Sequence, residues 1–112
     1  MAKQERLNEL FHKALSVCLN KELISQEALV TIKSVEFDNN LVKANVFISV
    51  IPNKYYGSIL KKVRKISKLL AYQAAKKTKI SRVPKLYWQI DSSEEKLSEL
   101  DKIFQQIENE KK

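Results

Sequence analysis

The side chains with the greatest capacity for chemistry in this chain are cationic, and they crowd into one stretch. Between Asp38 and Asp91 there is no acidic residue, while that interval holds 12 Lys and Arg, from Lys43 to Lys85. The rest of the chain carries 9 basic and 13 acidic residues, so the net charge of +8 belongs to a single region. Within it, Lys61, Lys65, Lys68, Lys76 and Lys79 recur at spacings that place them on one side of a helix, flanked by Arg64, with Tyr72 in the middle of the arc. Arg82 follows just beyond, and Lys43, Lys54, Lys77 and Lys85 extend the patch. Such a stripe can neutralise phosphates, with an affinity that falls steeply as salt rises. Tyr72 offers a ring on which a base could stack, or one that packs against lysine stems.

Lysines on an exposed helix face commonly do no more than keep it soluble. Surface helices normally mix both signs, and each Glu–Lys pair four residues apart gains a few tenths of a kcal/mol. This helix forgoes every such pair and accepts repulsion at Lys61/Lys65 and Lys61/Arg64. The pattern therefore points to an anionic partner. A membrane surface is disfavoured, because the apolar side of the helix is needed to cover β-strands.

Catalytic groups are harder to find. His12 is the only histidine and has no Cys or His at ligand spacing, so it is expected as a surface or partly covered imidazole and not as a zinc ligand. Cys18 is the only cysteine, which excludes an internal disulfide, and it falls on the apolar face of a helix as a small buried hydrophobe. Gly57 is the only glycine, too few for a phosphate-binding loop. Glu94, Glu95, Glu99 and Asp101 fall in the first turns of an expected helix, where carboxylates favour the macrodipole. No catalytic residue, metal site or cofactor is expected, and the chain reads as a non-enzymatic binding protein.

The elements that must carry the stripe follow from hydrophobic period. At 112 residues the chain supports one domain. Leu7, Leu10, Phe11, Ala14, Leu15, Cys18 and Leu19 predict a first helix over roughly residues 3 to 23. Ala28 to Phe37 is β-rich, and a change of phase between Ile32 and Val35 predicts a bulge. Asp38-Asn39-Asn40 makes a turn with side chains that tolerate left-handed geometry. Val42, Ala44, Val46, Ile48 and Val50 then alternate with Lys43, Asn45, Phe47 and Ser49 as an antiparallel, half-buried strand ended by Pro52. Asn53 to Gly57 is expected as a loop, and Ser58 to Lys79 as a helix whose inner face is Ile59, Val63, Ile66, Leu70 and Ala74. Pro84 closes that region, and Leu86, Trp88 and Ile90 begin a third strand. Ser92 and Glu95 form a capping box for a last helix over about 92–110, frayed at its end, with Leu97, Leu100, Ile103, Phe104 and Ile107 inward. The order α-β-β-α-β-α, with the central helix intact or broken, gives an α+β sheet of three strands with helices packed on one face.

Several strings, in their order and spacing, resemble the ribosome-binding factor A family, bacterial assembly factors of the small ribosomal subunit. They are Val35-Glu36-Phe37-Asp38 through Leu41 to Ala44, Val46-Phe47-Ile48-Ser49-Val50, Ile80-Ser81-Arg82-Val83-Pro84-Lys85-Leu86, and Asp91-Ser92-Ser93. The resemblance covers about residues 4 to 108. It implies a single type II KH-like RNA-binding domain with a kinked central helix. It also implies binding to the 30S subunit and help in its late maturation, including 5′-end processing of 16S rRNA and a role in cold adaptation. The family usually kinks the central helix at an Ala-x-Gly; here that place is Ile66-Ser67-Lys68, which lacks the glycine. The expected RNA-binding residues are Lys61, Arg64, Lys65, Ser67, Lys68, Tyr72, Lys76, Lys79 and Arg82. The expected partners are the small subunit and its 16S rRNA, with no DNA and no membrane, for a monomer in the cytoplasm. The alternatives are a general single-stranded RNA-binding KH-type module and a basic protein–protein adaptor.

Overall fold

The computed structural model describes residues 3–23 and 28–91. The predicted last helix, with its capping box and its carboxylates, lies outside the described residues. The first helix, α1 (Lys3–Glu22), buries Phe11, Leu15, Cys18 and Leu19 of the predicted stripe, with Leu7 and Ala14 packed against the core, while Leu10 is 50 % exposed. Two nine-residue strands follow, β1 (Leu29–Phe37) and β2 (Lys43–Ile51), paired antiparallel. Their register slips between Ile32 and Ser34, at the expected bulge. There the Ile32 carbonyl accepts a hydrogen bond from His12 Nε2 at 2.6 Å, so the partly covered imidazole ties α1 to the bulge. Asn8 and Gln4 tie down the other end of β1: the Phe37 amide donates to Asn8 Oδ1 and the Gln4 amide donates to the Phe37 carbonyl.

The β1–β2 turn differs from the expectation in one respect. The left-handed residue is Leu41, at φ 59°, and neither Asn39 nor Asn40 has positive φ. Asp38 is the cause: its carboxylate accepts from the amides of Val42 and Lys43, and its carbonyl accepts from the Leu41 amide. That network wraps the chain around Asp38 and leaves the reversal to Leu41.

The segment after Pro52 also departs from the expected loop. A 3₁₀ turn (Asn53–Tyr55) runs into α2 (Tyr56–Lys65), so helix begins before Gly57, with Tyr55 and Tyr56 packed against the core. The central helix is broken, at the place where the resemblance implies a kink. Ile66, with φ −103° and ψ 11°, separates α2 from α3 (Ser67–Thr78). Ile59 and Val63 are buried on α2, and Leu70, Ala71, Ala74 and Ala75 on α3. Lys79 closes α3 in the left-handed conformation, and the Ile80 amide reaches back to the Ala75 carbonyl. The chain then returns as β3 (Lys85–Ile90), parallel to β2, giving the order β1-β2-β3.

The sheet is amphipathic by alternation. Ile32, Val35, Phe37, Ala44, Val46, Ile48, Val50, Leu86 and Trp88 face the helices and make one core with them. Phe11 meets Phe37 edge to face, with ring centroids 5.0 Å apart. The result is an α+β, KH-like arrangement, with helices on one face of a three-stranded sheet.

Candidate nucleic-acid interface

The α2–α3 joint is where the basic stripe acquires a shape. Neither glycine nor proline stands at Ile66, and the helix breaks next to a serine. Ser67 Oγ accepts a hydrogen bond of 2.9 Å from the indole Nε1–H of Trp88, on β3. Trp88 is only 4 % exposed, so this bond satisfies the donor of a buried ring. A small side chain at Ser67 lets the start of α3 approach β3. Ala71, one turn on and buried, continues the close approach.

Beside that contact a cleft of about 710 Å³ opens between the joint and the start of β3. Arg64, Ser67, Lys68 and Tyr72 form its helical wall, and Val83, Pro84, Lys85 and Leu86 the other, with Ala71 between them. The floor and one side are apolar; the rim is cationic. Tyr72 is 50 % exposed, and Lys76 Nζ lies 5.3 Å from its ring centroid, a cation–π contact that spans one helical turn.

The predicted residues are therefore sorted by the fold. Arg64, Ser67, Lys68 and Tyr72 are brought together in the cleft, and Lys76 joins them through the Tyr72 ring. Lys61 and Lys65 are exposed on α2 but do not line the cleft. Lys79 is the left-handed cap beyond α3. Arg82 goes elsewhere, into a smaller hollow with Leu7, Asn40, Leu41, Ile80 and Ser81. Among the extending lysines, Lys85 lines the cleft, and Lys54 lies 5.2 Å from the Tyr55 ring. Lys77 faces α1, close enough to counter in part the burial that pushes the Cys18 thiol above its ordinary value.

Sequence reasoning missed Ala71, Val83, Pro84 and Leu86, the apolar part of the cleft. Their signal was faint: Ala71 lies within α3 and Leu86 within β3, and Val83 and Pro84 sit among cations in the short connection between them. Among the described residues no group of His, Cys, Asp and Glu is placed to hold a metal, and no helix is long and apolar enough to cross a membrane.

A cleft with an apolar floor and cationic rim, built on a broken helix over a three-stranded sheet, can be compared with known proteins. The family model described as "Ribosome-binding factor A" matches residues 3–104. The chain belongs to the ribosome-binding factor A family. A comparison with curated proteins gives no match. Among solved structures, the crystal structure of ribosome-binding factor A from Thermus thermophilus is similar, with a TM-score of 0.72 at 15 % identity over 80 % of this chain and 97 % of that one. A homology model of the Thermus thermophilus factor, fitted into a cryo-EM map of its complex with the 30S subunit, gives a TM-score of 0.68 at 16 % identity, over 78 % of this chain and 93 % of that one. At such identities these likenesses speak for the shared fold, and the family assignment rests on the sequence model.

Proposed function

We propose that this chain binds the small (30S) ribosomal subunit through its 16S rRNA and assists late maturation of the subunit, including processing of the 5′ end of that RNA. The observation that carries the reading is the cleft at the α2–α3 joint. It sets Arg64, Lys68 and Lys85 around an apolar floor and an exposed Tyr72 ring. Cations at the rim hold phosphates, and the ring and floor take unpaired bases, the division of labour by which single-stranded RNA is bound. Lys61, Lys65, Lys76 and Lys79 add positive field outside the cleft, and Arg82 contributes from its own hollow. Family membership, and the 30S-bound pose of the Thermus thermophilus relative, support the choice of small subunit. The protein acts as a single KH-like domain and a monomer, in the bacterial cytoplasm. It needs no cofactor or catalytic step of its own, it takes RNA and not DNA, and its contribution is greatest in the cold.

The test is co-sedimentation with purified small subunits. Changing Lys65, Lys68 and Lys76 together to Glu replaces three exposed cations and leaves the core untouched, so the circular dichroism spectrum should be unchanged while sedimentation with the subunit is lost. Wild-type binding should weaken as salt rises, by about 0.7 to 0.9 in log–log slope for each phosphate contact. Undiminished sedimentation of the triple variant would overturn the proposal.

A further inference from the structure

The face of the sheet turned away from the helices carries an arrangement that the cleft shares only through Lys85. Lys43 on β2 and Lys85 on β3 are direct register partners. Like charges opposite one another on neighbouring strands are unfavourable. Here both ammonium groups lean over one ring, that of Tyr87, at 6.0 Å and 5.4 Å from its centroid. Tyr87 remains 37 % exposed. Beside it, in register, is Asn45, whose Oδ1 accepts from Gln89 Nε2 at 3.0 Å. This bond leaves Asn45 with an amide donor and Gln89 with a carbonyl acceptor to offer a ligand, next to an aromatic ring and two cations. Glu36, the register partner of Asn45 on β1, bounds the patch on its far side.

We propose that this open face is a second single-stranded RNA subsite, in which a base stacks on Tyr87 while Lys43 and Lys85 hold its flanking phosphates. The inference rests on the reading of the cleft as an RNA site and extends it. Lys85 belongs to both places: it lines the cleft and also covers Tyr87. Among the described residues β3 is an edge strand, so a chain leaving the cleft can pass over Lys85 onto this face without crossing another described element. In the free protein the lysines cover the ring. With RNA bound they swing to phosphate and surrender the ring to a base, a change their flexible stems permit. An acidic peptide would satisfy the lysines but leave the ring and the amide pair without a role, which favours the nucleic acid.

The test uses a fluorescein-labelled oligouridylate of roughly 12 nucleotides, long enough for a cleft and a neighbouring platform, followed by anisotropy at several salt concentrations. Tyr87→Thr removes the ring and keeps a residue suited to a strand. It should weaken binding about tenfold, the loss of one base–aromatic stack, with an unchanged thermal midpoint. Lys43→Gln, an exposed change away from the cleft, should weaken binding and lower the log–log salt slope by about 0.7. It carries the test should Tyr87→Thr fold poorly. Tyr72→Ala reports on the cleft separately. If Tyr72→Ala weakens binding while Tyr87→Thr and Lys43→Gln match wild type, the sheet subsite is refuted and the cleft stands. If only the sheet variants weaken it, the cleft reading fails. Loss on Lys43→Gln with none on a folded Tyr87→Thr refutes stacking. Binding of polyglutamate as tight as that of the RNA, lost in both sheet variants, assigns the face to an acidic protein and overturns the proposal.

Discussion

Replacing Ser67 by Ala removes a single oxygen, yet it should cost more than a surface change, because of what that oxygen holds. The Trp88 indole N–H donates to it at 2.9 Å, and Trp88 is 4 % exposed. With the acceptor gone, a buried donor has no partner, and the penalty is about 1–3 kcal/mol. Trp88→Phe acts from the other side. It removes the donor together with part of a core side chain, while the Ser67 hydroxyl, only half-buried, recovers hydrogen bonds to water. Once the ring has lost its N–H, the serine hydroxyl no longer matters to it. Ser67→Ala should therefore cost much less in the Trp88→Phe background, with a coupling on the order of 1 kcal/mol. Urea unfolding followed by circular dichroism measures all four proteins. With a slope of about 1.5 kcal/mol per M, a loss of about 2 kcal/mol moves the midpoint down by about 1.3 M. In the single variant the fluorescence of Trp88, the only tryptophan, gives a second signal. Costs for Ser67→Ala that are equal in the two backgrounds would show that the bond does not hold the joint.

Three further outcomes follow from other parts of the fold. Burial raises the Cys18 thiol above its ordinary value of 9.0, so a thiol-specific reagent at mildly alkaline pH should label native protein far more slowly than protein in urea. Because the folded thiol keeps its proton where the unfolded one loses it, stability that is fully present below pH 9.0 should decline as pH rises from there through the folded value. Equal labelling rates in both states would contradict this. Leu41, at φ 59° in the β1–β2 turn, occupies a conformation that glycine adopts freely. Relief of about 1–2 kcal/mol of left-handed strain, less about 0.5–1 kcal/mol for the freer unfolded glycine, should leave Leu41→Gly more stable by up to about 1 kcal/mol, visible as a higher thermal midpoint; a lower one would mean that the partly exposed leucine contributes more by packing than it loses by strain.

The parts of this fold legible from sequence are those whose cause is local. The α1 stripe of Phe11, Leu15, Cys18 and Leu19 and the β2 alternation of Ala44, Val46, Ile48 and Val50 are direct consequences of helical and strand period. So is the bulge, since a slipped register must shift the hydrophobic phase. The break at Ile66 was not legible from period. Ile59, Val63, Ile66, Leu70 and Ala74 repeat as smoothly as in an unbroken helix, and no glycine or proline marks the place. The resemblance pointed to Ser67, but the contact that holds the joint comes from Trp88, 21 residues away. The lysines show the same limit. Helical spacing set Lys61, Lys65, Lys68, Lys76 and Lys79 on one arc around Tyr72, flanked by Arg64; the fold takes Arg64, Lys68 and Tyr72 from it into the cleft, puts Lys76 on the Tyr72 ring, and leaves Lys61 and Lys65 outside. It could not show that Arg82 turns toward Leu7 and Leu41, or that Lys43 meets Lys85, since those placements depend on a loop path and on strand register.

The short strand β3 is the element on which these arrangements converge. Of its inward residues, Leu86 lines the cleft and Trp88 holds the α2–α3 joint. Its outward residues, Lys85 and Tyr87, lie on the opposite face. Because side chains alternate along a strand, a slip of one residue in the pairing of β2 with β3 would exchange these two sets. It would withdraw the indole from Ser67 and turn Tyr87 into the core. The parallel register from Lys43↔Lys85 to Ile48↔Ile90 is thus a condition for both surfaces at once. Burying Trp88 in the core makes that slip costly, so the residue that fixes the helix joint also keeps the lysine-covered Tyr87 ring of the other face in place.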